Sequence, residues 1–524
     1  MSRFGGTGRS AARTIRARPR EPRSELRRLA RFGALAAAAL ISGCATYHAL
    51  PLPRRAHLAG GLSALRTEVP PLERGAAARR IEVNRPLSPG DIGLLAVLND
   101  PALRTEGGYL AGAKAALLQA SLLPNPIAGL VYEPQLGGAG VAPSWTATLS
   151  EDVTALITYH TRVKSARFTF KQVSAELLWR EWQVAQQARV LALDLYWGDA
   201  SLRASRRDAQ LLAVEARAAR AAAASRSLDL TALSSILAAE ATAEQNLASL
   251  RLTQLRAWQA LDALLGLAPT VRFAIAAPHL PPVPRHLAPL IATLAERRPD
   301  LVALKMGYRS ADEDVRTAII GQFPALVLGA QWDQDNGNVR NGGPTAQIAL
   351  PLFDRNQGQV GATRATRRVL HAQYQTRLDA AVGAVNGLSI QIRRLRHDVL
   401  QARRAVADAS RLAHAAQRAY ASGAIDERSL TDYQSAALER RLEANTLESA
   451  LAQARIAITL ELGLGLPQVR IVPAAKKSSG RHETPIDCLG LLSCALRRRT
   501  TAAGRRGKRC GSERLGDADA AAYR

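Results

Sequence analysis

Pro126-Ile127-Ala128-Gly129-Leu130-Val131-Tyr132-Glu133 and Ser144-Trp145-Thr146-Ala147-Thr148-Leu149-Ser150 flank the turn Gly137-Gly138-Ala139-Gly140, which is the grammar of a β-hairpin. A second such stretch comes later: Ala325-Leu326-Val327-Leu328-Gly329-Ala330-Gln331-Trp332 and Thr345-Ala346-Gln347-Ile348-Ala349-Leu350 flank Asp335-Asn336-Gly337-Asn338 and Asn341-Gly342-Gly343. Each strand comes near the roughly 9–11 residues that a tilted membrane strand needs. Small and polar residues interrupt the apolar alternation, as expected where one face lines a lumen. Two surface hairpins on a helical protein remain the alternative reading of these strands. In lipid an open sheet edge has no hydrogen-bond partner, so a membrane sheet must close. Closed barrels begin at about eight strands; four strands per chain therefore require an oligomer.

The body is written twice. Leu122-Leu123-Pro124-Asn125-Pro126 finds a partner in Gln322-Phe323-Pro324-Ala325-Leu326, and Leu230-Thr231 recurs as Leu430-Thr431, both 200 residues on. Leu265-Gly266-Leu267 recurs as Leu464-Gly465-Leu466, 199 residues on, each followed closely by a proline (Pro269, Pro467). These matches set repeat one at 91–269 and repeat two at 287–467, joined over 270–286 by a proline-rich, donor-poor connector that includes Pro278, Pro281, Pro282 and Pro284. Each repeat reads as helix, two strands, long helix, turn and helix. The Ala/Leu-rich stretch 94–121 reads as one helix, stopped at Leu123-Pro124. Residues 156–221 hold no proline and one glycine (Gly198), and 360–421 hold no proline and three (Gly361, Gly383, Gly387). At 1.5 Å per residue each spans on the order of 90–100 Å. Apolar positions recur at three and four (Leu177, Val184, Ala188, Leu191, Leu195), a seam for a neighbouring helix. Each long helix reverses and returns, through 226–266 and 427–464, giving two helical hairpins.

The 524 residues are 47% hydrophobic and 22% charged, too apolar for a disordered chain. No run of 18 apolar residues occurs, which excludes a multi-pass helical transporter. The formal charge of +26 is uneven: residues 1–43 carry +8 and residues 474–524 carry +7, leaving +11 for the body. No zinc-finger spacing, RNA-recognition motif or basic zipper accompanies it, so no nucleic-acid partner is expected. Arg27, Arg28 and Arg31 precede the apolar run Phe32–Leu40, the order of a secretory signal peptide over 1–43. Ile41-Ser42-Gly43-Cys44 resembles the bacterial lipobox, which implies cleavage before Cys44 and acyl (palmitate-type) attachment there; a plain signal peptide with a chance cysteine is the alternative. Residues 44–90 read as an N-terminal linker, and 468–524 as a basic, disordered tail holding the remaining cysteines, Cys488, Cys494 and Cys510. The nine histidines, His160, His371, His397 and His414 among them, form no two-ligand pair at helical spacing. No metal site, cofactor or catalytic residue is expected.

At this point the residues resemble the TolC-type outer-membrane efflux channels. Arg298-Pro299-Asp300-Leu301, then Ala311-Asp312-Glu313-Asp314-Val315 and Phe323-Pro324, look like that family's helix opening and strand start, with Asn99-Asp100-Pro101-Ala102-Leu103 as the weaker copy. The phrase Leu350-Pro351-Leu352-Phe353-Asp354-Arg355-Asn356-Gln357-Gly358-Gln359 resembles the strand-to-helix re-entry of the cobalt–zinc–cadmium and copper–silver resistance branch. Tyr420-Ala421-Ser422-Gly423 with Leu430-Thr431-Asp432 resembles the helical-hairpin tip. The resemblance implies a mainly α chain with a membrane β part. Its duplicated helix–β-hairpin–helical-hairpin would form, in a homotrimer, a 12-stranded barrel in outer-membrane lipid and a long periplasmic coiled-coil barrel. It implies a passive exit duct for heavy-metal cations or small toxic compounds, served by a periplasmic adaptor and an inner-membrane pump of the resistance–nodulation–division class. An exit channel for protein secretion, and a non-channel periplasmic coiled-coil lipoprotein, are the competing readings.

The resemblance also assigns roles. Asp432 is the candidate for a charged tunnel mouth, and Tyr420, Ser422, Gly423 and Leu430 are candidate adaptor contacts. Gly423 supplies the turn of tip two; at the 200-residue offset its counterpart is Ala223, and that of Asp432 is Ala232, so tip one lacks the glycine and the acid. Asp354 is expected to cap the helix that comes after it. Tyr132, Trp145 and Trp332 either anchor at the membrane interface or simply pack.

Overall fold

The computed structural model describes residues 47–69, 79–138, 140, 142–280 and 282–464. Cys44, the signal segment, the basic tail and the Gly465–Pro467 half of the third repeat match lie outside them. The helices are α1 (Pro89–Asn99), α2 (Pro101–Ala120), α3 (Val153–Ala224), α4 (Leu230–Leu265), α5 (Ala288–Ala292), α6 (Leu294–Arg297), α7 (Pro299–Ile320), α8 (Gln357–Ala421) and α9 (Glu427–Glu461). A two-stranded sheet pairs β1 (Glu68–Val69) with β2 (Arg79–Arg80). A four-stranded antiparallel sheet runs in the order β3 (Ile127–Glu133), β4 (Ser144–Asp152), β5 (Leu326–Gln334), β6 (Arg340–Ile348). The chain divides into two units, one taking the described residues up to Thr105 with Val184–Leu280 and Leu395–Gln453, the other Glu106–Gln183, Pro281–Arg394 and the residues from Ala454.

In the first unit α1 starts on Ser88, whose hydroxyl accepts from Asp91 N–H (3.1 Å) and donates to the Asp91 carboxylate (2.7 Å). Its Ile92 and Leu95 are fully buried against Ala188, Ala192 and Leu195 of α3 and Leu261 and Leu265 of α4. The predicted seam is therefore real at Ala188 and Leu195. The connector contributes as well: Val271, Phe273 and Ile275 pack on this core, and Leu87 N–H donates to the Ala274 carbonyl (3.0 Å).

The 94–121 helix is two helices. Pro101 has no N–H to continue the ladder and forces the residue before it out of the helical region. Asp100 accordingly sits at ψ 121° and accepts from Ala102 N–H (2.7 Å), ending α1 and capping α2.

In the second unit the same turn is built on Arg298-Pro299. Arg298 is buried beneath the first turn of α7, pairs with Asp300 through Nε (3.0 Å) and Nη2 (2.7 Å), reaches Glu461 at the end of α9, and lies 4.8 Å over the Trp179 ring of α3. Arg377 of α8 closes the node with a second bond to Asp300 (2.8 Å). Burial alone would raise the Asp300 carboxyl, but Arg298 and then Arg377 outweigh it and hold it below the ordinary value. Along α3 and α7 a hydroxyl seam continues the contact: Ser165 and Thr169 meet Ser310 (3.0 and 2.9 Å), and Thr317 bonds Thr161 (2.7 Å).

The turn of the second hairpin is shorter than its sequence suggests. Its turn is 335–339, closed by Asp335, which accepts from Gly337 and Val339 N–H (2.8 and 2.9 Å), with Asn338 at φ +65°. Gly342 and Gly343, read as turn residues, belong to β6. A Cβ on Gly342 would stand 2.9 Å from the Trp332 ring, so this glycine is the seat of the indole.

The repeats register differently from the sequence matches. After the strands the offset is 197, not 200: Arg226 (φ +58°) and Gly423 (φ +74°) occupy the same turn position. The same bonds surround both, Ser225 N–H to Ala221 O with Ser227 N–H to Ala222 O, and Ser422 N–H to Arg418 O with Ala424 N–H to Ala419 O. Tip one has thus replaced its glycine by Arg226, not Ala223, and keeps a left-handed turn. The counterpart of Leu430 is Leu233 and that of Asp432 is Ser235. Likewise Gly266 (φ +67°) matches Gly463 (φ +61°), each ending a returning helix, so the Leu464-Gly465-Leu466 alignment was two residues out.

Arg298→Ala leaves buried Asp300 with Arg377 alone and half-buried Glu461 without its cation, and should cost about 3 kcal/mol. Thermal unfolding followed by far-ultraviolet circular dichroism should fall by several degrees, while exposed Arg364→Ala stays near wild type. Equal melting of the two variants would contradict the node's role.

Candidate functional site

Register turns the imperfect alternation of the strands into two chemically distinct faces. Pairing Leu130 with Ala147, Tyr132 with Trp145, Ala147 with Trp332 and Leu328 with Ala346 places those residues on one face. With them lie Ala128, Leu149, Leu326, Ala330, Pro344 and Ile348, so that face is apolar except for Glu151, Gln334 and Arg340 at its ends. The other face is mostly polar, with Thr146, Thr148, Ser150 and Asp152 of β4, Gln331 and Asp333 of β5, and Asn341, Thr345 and Gln347 of β6, but it also carries Ile127, Val131 and Val327. Leu130 is 75% exposed and Trp332 49%, so no core covers the apolar side among the described residues. Tyr132 and Trp145 stand directly opposite one another, with Trp332 diagonal to them, all toward the 134–143 loop. The three rings therefore cluster at one level of an exposed face. β3 and β6 each present an unpaired outer edge.

The re-entry phrase comes directly after β6. Leu350, Leu352 and Phe353 are exposed, and Pro351 is half-buried. Asp354 does not cap α8: it accepts from Asn356 N–H (2.8 Å), forming a turn one residue earlier, while Arg355 N–H donates to the Gln357 side chain (2.7 Å). The capping position belongs to Asn356, at φ +57°, whose carbonyl accepts the first helical bond from Val360 and whose Nδ2 donates to the Ala318 carbonyl (2.8 Å) at the end of α7. Gly321 leaves room for that amide, since a Cβ there would lie 2.7 Å from it. Gly358 is exposed on the first turn of α8. The phrase is a joint between strand, α7 and α8.

The tip residues belong to the other unit. Tyr420, Ser422 and Gly423 are exposed, whereas Leu430 is buried. Asp432 is exposed on the second turn of α9. Sequence reasoning missed its neighbour Glu215 of α3. Burial first, then the charges of Asp432, Glu427 and Asp426, push the Glu215 carboxyl up against the opposing pull of Arg428.

Glu215 ends a ladder whose signal was readable, since Asp194, Ser201, Asp208 and Glu215 recur every seven residues. Gln453 Nε2 donates to Asp194 (2.5 Å), and Asn445 Nδ2 donates to Ser201 Oγ (3.3 Å). Burial raises Asp194 despite the Gln453 bond, and it raises Asp208 against the opposing Ser435 hydroxyl, the Asp208 Oδ1 itself being buried without a hydrogen-bond partner. Among the described residues no group of three metal-ligating side chains forms, and no helix is long and apolar enough to cross a membrane.

Residues 290–464 match the family described as outer membrane efflux protein. No curated protein sequence matches the chain. Among solved structures, the fold resembles the outer membrane protein VceC of Vibrio cholerae at 20% identity and a TM-score of 0.58, covering 72% of this chain and 97% of that one. It also resembles the CmeC outer membrane channel of Campylobacter jejuni (13% identity, TM-score 0.59, 81% of this chain and 96% of that one). The open-state MtrE outer membrane channel of Neisseria gonorrhoeae agrees as well (14%, 0.60, 72% and 90%). The fold resembles that of these outer-membrane proteins.

A raised folded-state pKa means that the folded protein binds the proton more tightly than the unfolded chain. Stability contributed by Asp208 is therefore full below its ordinary value of 3.8 and is lost as pH rises through the higher folded value. Asp208→Asn, which mimics the protonated acid, should melt above wild type at pH 7.5, and the gap should close as pH falls toward 4. A variant that melts below wild type at pH 7.5 would reverse that sign.

Proposed function

We infer that the chain is one third of a homotrimeric outer-membrane exit duct, passively conducting solutes delivered by an inner-membrane pump of the resistance–nodulation–division class through a periplasmic adaptor. One observation carries this reading: a four-stranded sheet with one exposed apolar face, one mostly polar face and, among the described residues, two bare edges. Three such sheets joined edge to edge give twelve strands, satisfy every edge and turn the apolar side to lipid. The outer-membrane efflux family match over 290–464 supports the duct over a scaffold lipoprotein. In this reading repeats 91–269 and 287–467 are the two halves of a protomer, and Cys44 carries a lipid anchor at the outer membrane. The re-entry phrase 350–359 favours the cobalt–zinc–cadmium and copper–silver branch, hence metal cations or small toxic compounds as cargo. Exposed Tyr420, Ser422 and Gly423 are the adaptor contacts, while buried Leu430 supports them from within.

Trimerisation would set three copies of Asp432 around one axis, with Glu215 beside each, a mouth that favours cations over anions. In planar bilayers the purified protein should give stable conductance; silence from well-folded protein would remove the duct. Asp432→Ala should weaken cation preference and raise conductance, and unchanged values for both would contradict its role. Cys44→Ser should remove the acyl mass from the mature chain by intact-mass spectrometry; an unmodified wild type would sink the anchor.

A further inference from the structure

Four helices of the second unit border a cavity of about 810 Å³. That size falls among pockets that hold a small organic molecule, roughly 300–1,000 Å³. Its wall is largely apolar: Trp179 of α3, Leu304 of α7, and Val369 and Ala372 of α8 face it. Val369 is 54% exposed and Ala372 is exposed too, so this wall stays uncovered among the described residues. Trp179 supplies surface rather than cation–π attraction, because Arg298 already lies 4.8 Å over its ring.

The charges around the cavity sort into bonded and free. Asp300 is bonded to Arg298 and Arg377, and Glu461 also answers Arg298. Glu176 and Arg180 stand one turn apart on α3, yet they form no ion pair with each other; Glu176 accepts only from the neutral Gln172 (2.9 Å). Glu106 of α2 is half-buried and makes no hydrogen bond or ion pair among the described residues. Two carboxylates without a cation therefore face one cavity, against the exposed guanidinium of Arg180, which reaches water. A carboxylate in that position gains most from a charged donor, since charge-assisted bonds are about twice as strong as neutral ones. A bare metal ion does not suit the place. No three ligating groups gather among the described residues, and a hydrated ion would leave the apolar wall uncovered.

We propose that this cavity binds an organic cation with an apolar body, one ion per chain. The positive head sits against Glu106 and Glu176, and the body lies on Trp179, Leu304 and Val369. The assignment uses residues of the second unit alone and is independent of the exit-duct reading.

Titration calorimetry of the full chain in non-ionic detergent, with tetraphenylphosphonium as probe and a detergent blank subtracted, tests it. One saturable site per chain should appear. Glu106→Gln with Glu176→Gln should weaken it at least about tenfold, whereas Arg180→Gln should not weaken it. Ala372→Trp, which fills the cavity and keeps both carboxylates, should abolish it. Tetraphenylborate has the same shape and the opposite charge, and should bind at least about tenfold more weakly than the phosphonium. Equal affinity for the two ions, or an affinity indifferent to the two glutamates, would overturn the charge assignment. No saturable heat from protein with an intact far-ultraviolet circular dichroism spectrum would overturn the site itself. A protein that conducts in bilayers but binds no tetraphenylphosphonium would refute this inference and leave the duct standing.

Discussion

Everything in this chain answers to the unpaired backbone of β3 and β6. Four strands hydrogen-bond one another through three ladders, and the two outer ones end the sheet with free donors and acceptors. In water such edges are tolerable. Beside an apolar face carrying Leu130, Tyr132, Trp145 and Trp332 they are not, because hydrocarbon offers no replacement bond. In the proposed duct the chain is an incomplete object, completed by further copies of itself. That need also explains the polar side, since a closed sheet with its apolar side outward turns Thr146, Thr148, Gln331 and Gln347 toward an enclosed, wet interior.

The helices meet a different constraint: helices of 72 and 65 residues cannot slide without losing every contact along them. Alanine-rich seams are poor at fixing register, because small side chains pack almost equally well one turn on. The Arg298 node supplies what alanine lacks. Its guanidinium engages α7 and α9 by ion pairs and α3 by ring stacking, and Asp300 hands the contact to α8. A buried ion pair contributes little net stability against an apolar replacement but penalises a shifted register severely. The Asp194–Gln453 and Ser201–Asn445 bonds act likewise along α3 and α9.

The duplicated plan and the existence of every major element could be read from residues alone, because long proline-free stretches and glycine-marked hairpins are strong local signals. What was illegible was pairwise. The strands looked poorly alternating until register aligned four weak patterns into one apolar face. Gly342 looked like a turn residue because nothing local announces the Trp332 ring lying over it. Pro101 was a local signal overlooked, and α1 ends there. The tips misaligned because Arg226 occupies a left-handed position where glycine was sought. Leu430 was grouped with exposed tip residues although a leucine four residues after the capping Asp426 faces inward, its N–H bonded to the Asp426 carbonyl.

Charge at the tip is governed by the same geometry. Glu215, Asp426, Glu427 and Asp432 share a small region of the first unit with Arg428 as the cation that acts on Glu215. A single such patch would be screened within a Debye length of about 8 Å at physiological salt. In the proposed trimer, threefold repetition around one opening would change that balance, since low-dielectric walls focus the field and the three patches would add. A duct built this way needs no ligating cage to prefer cations. It weights what passes by sign of charge, and chemical selectivity is left to the proteins that load it.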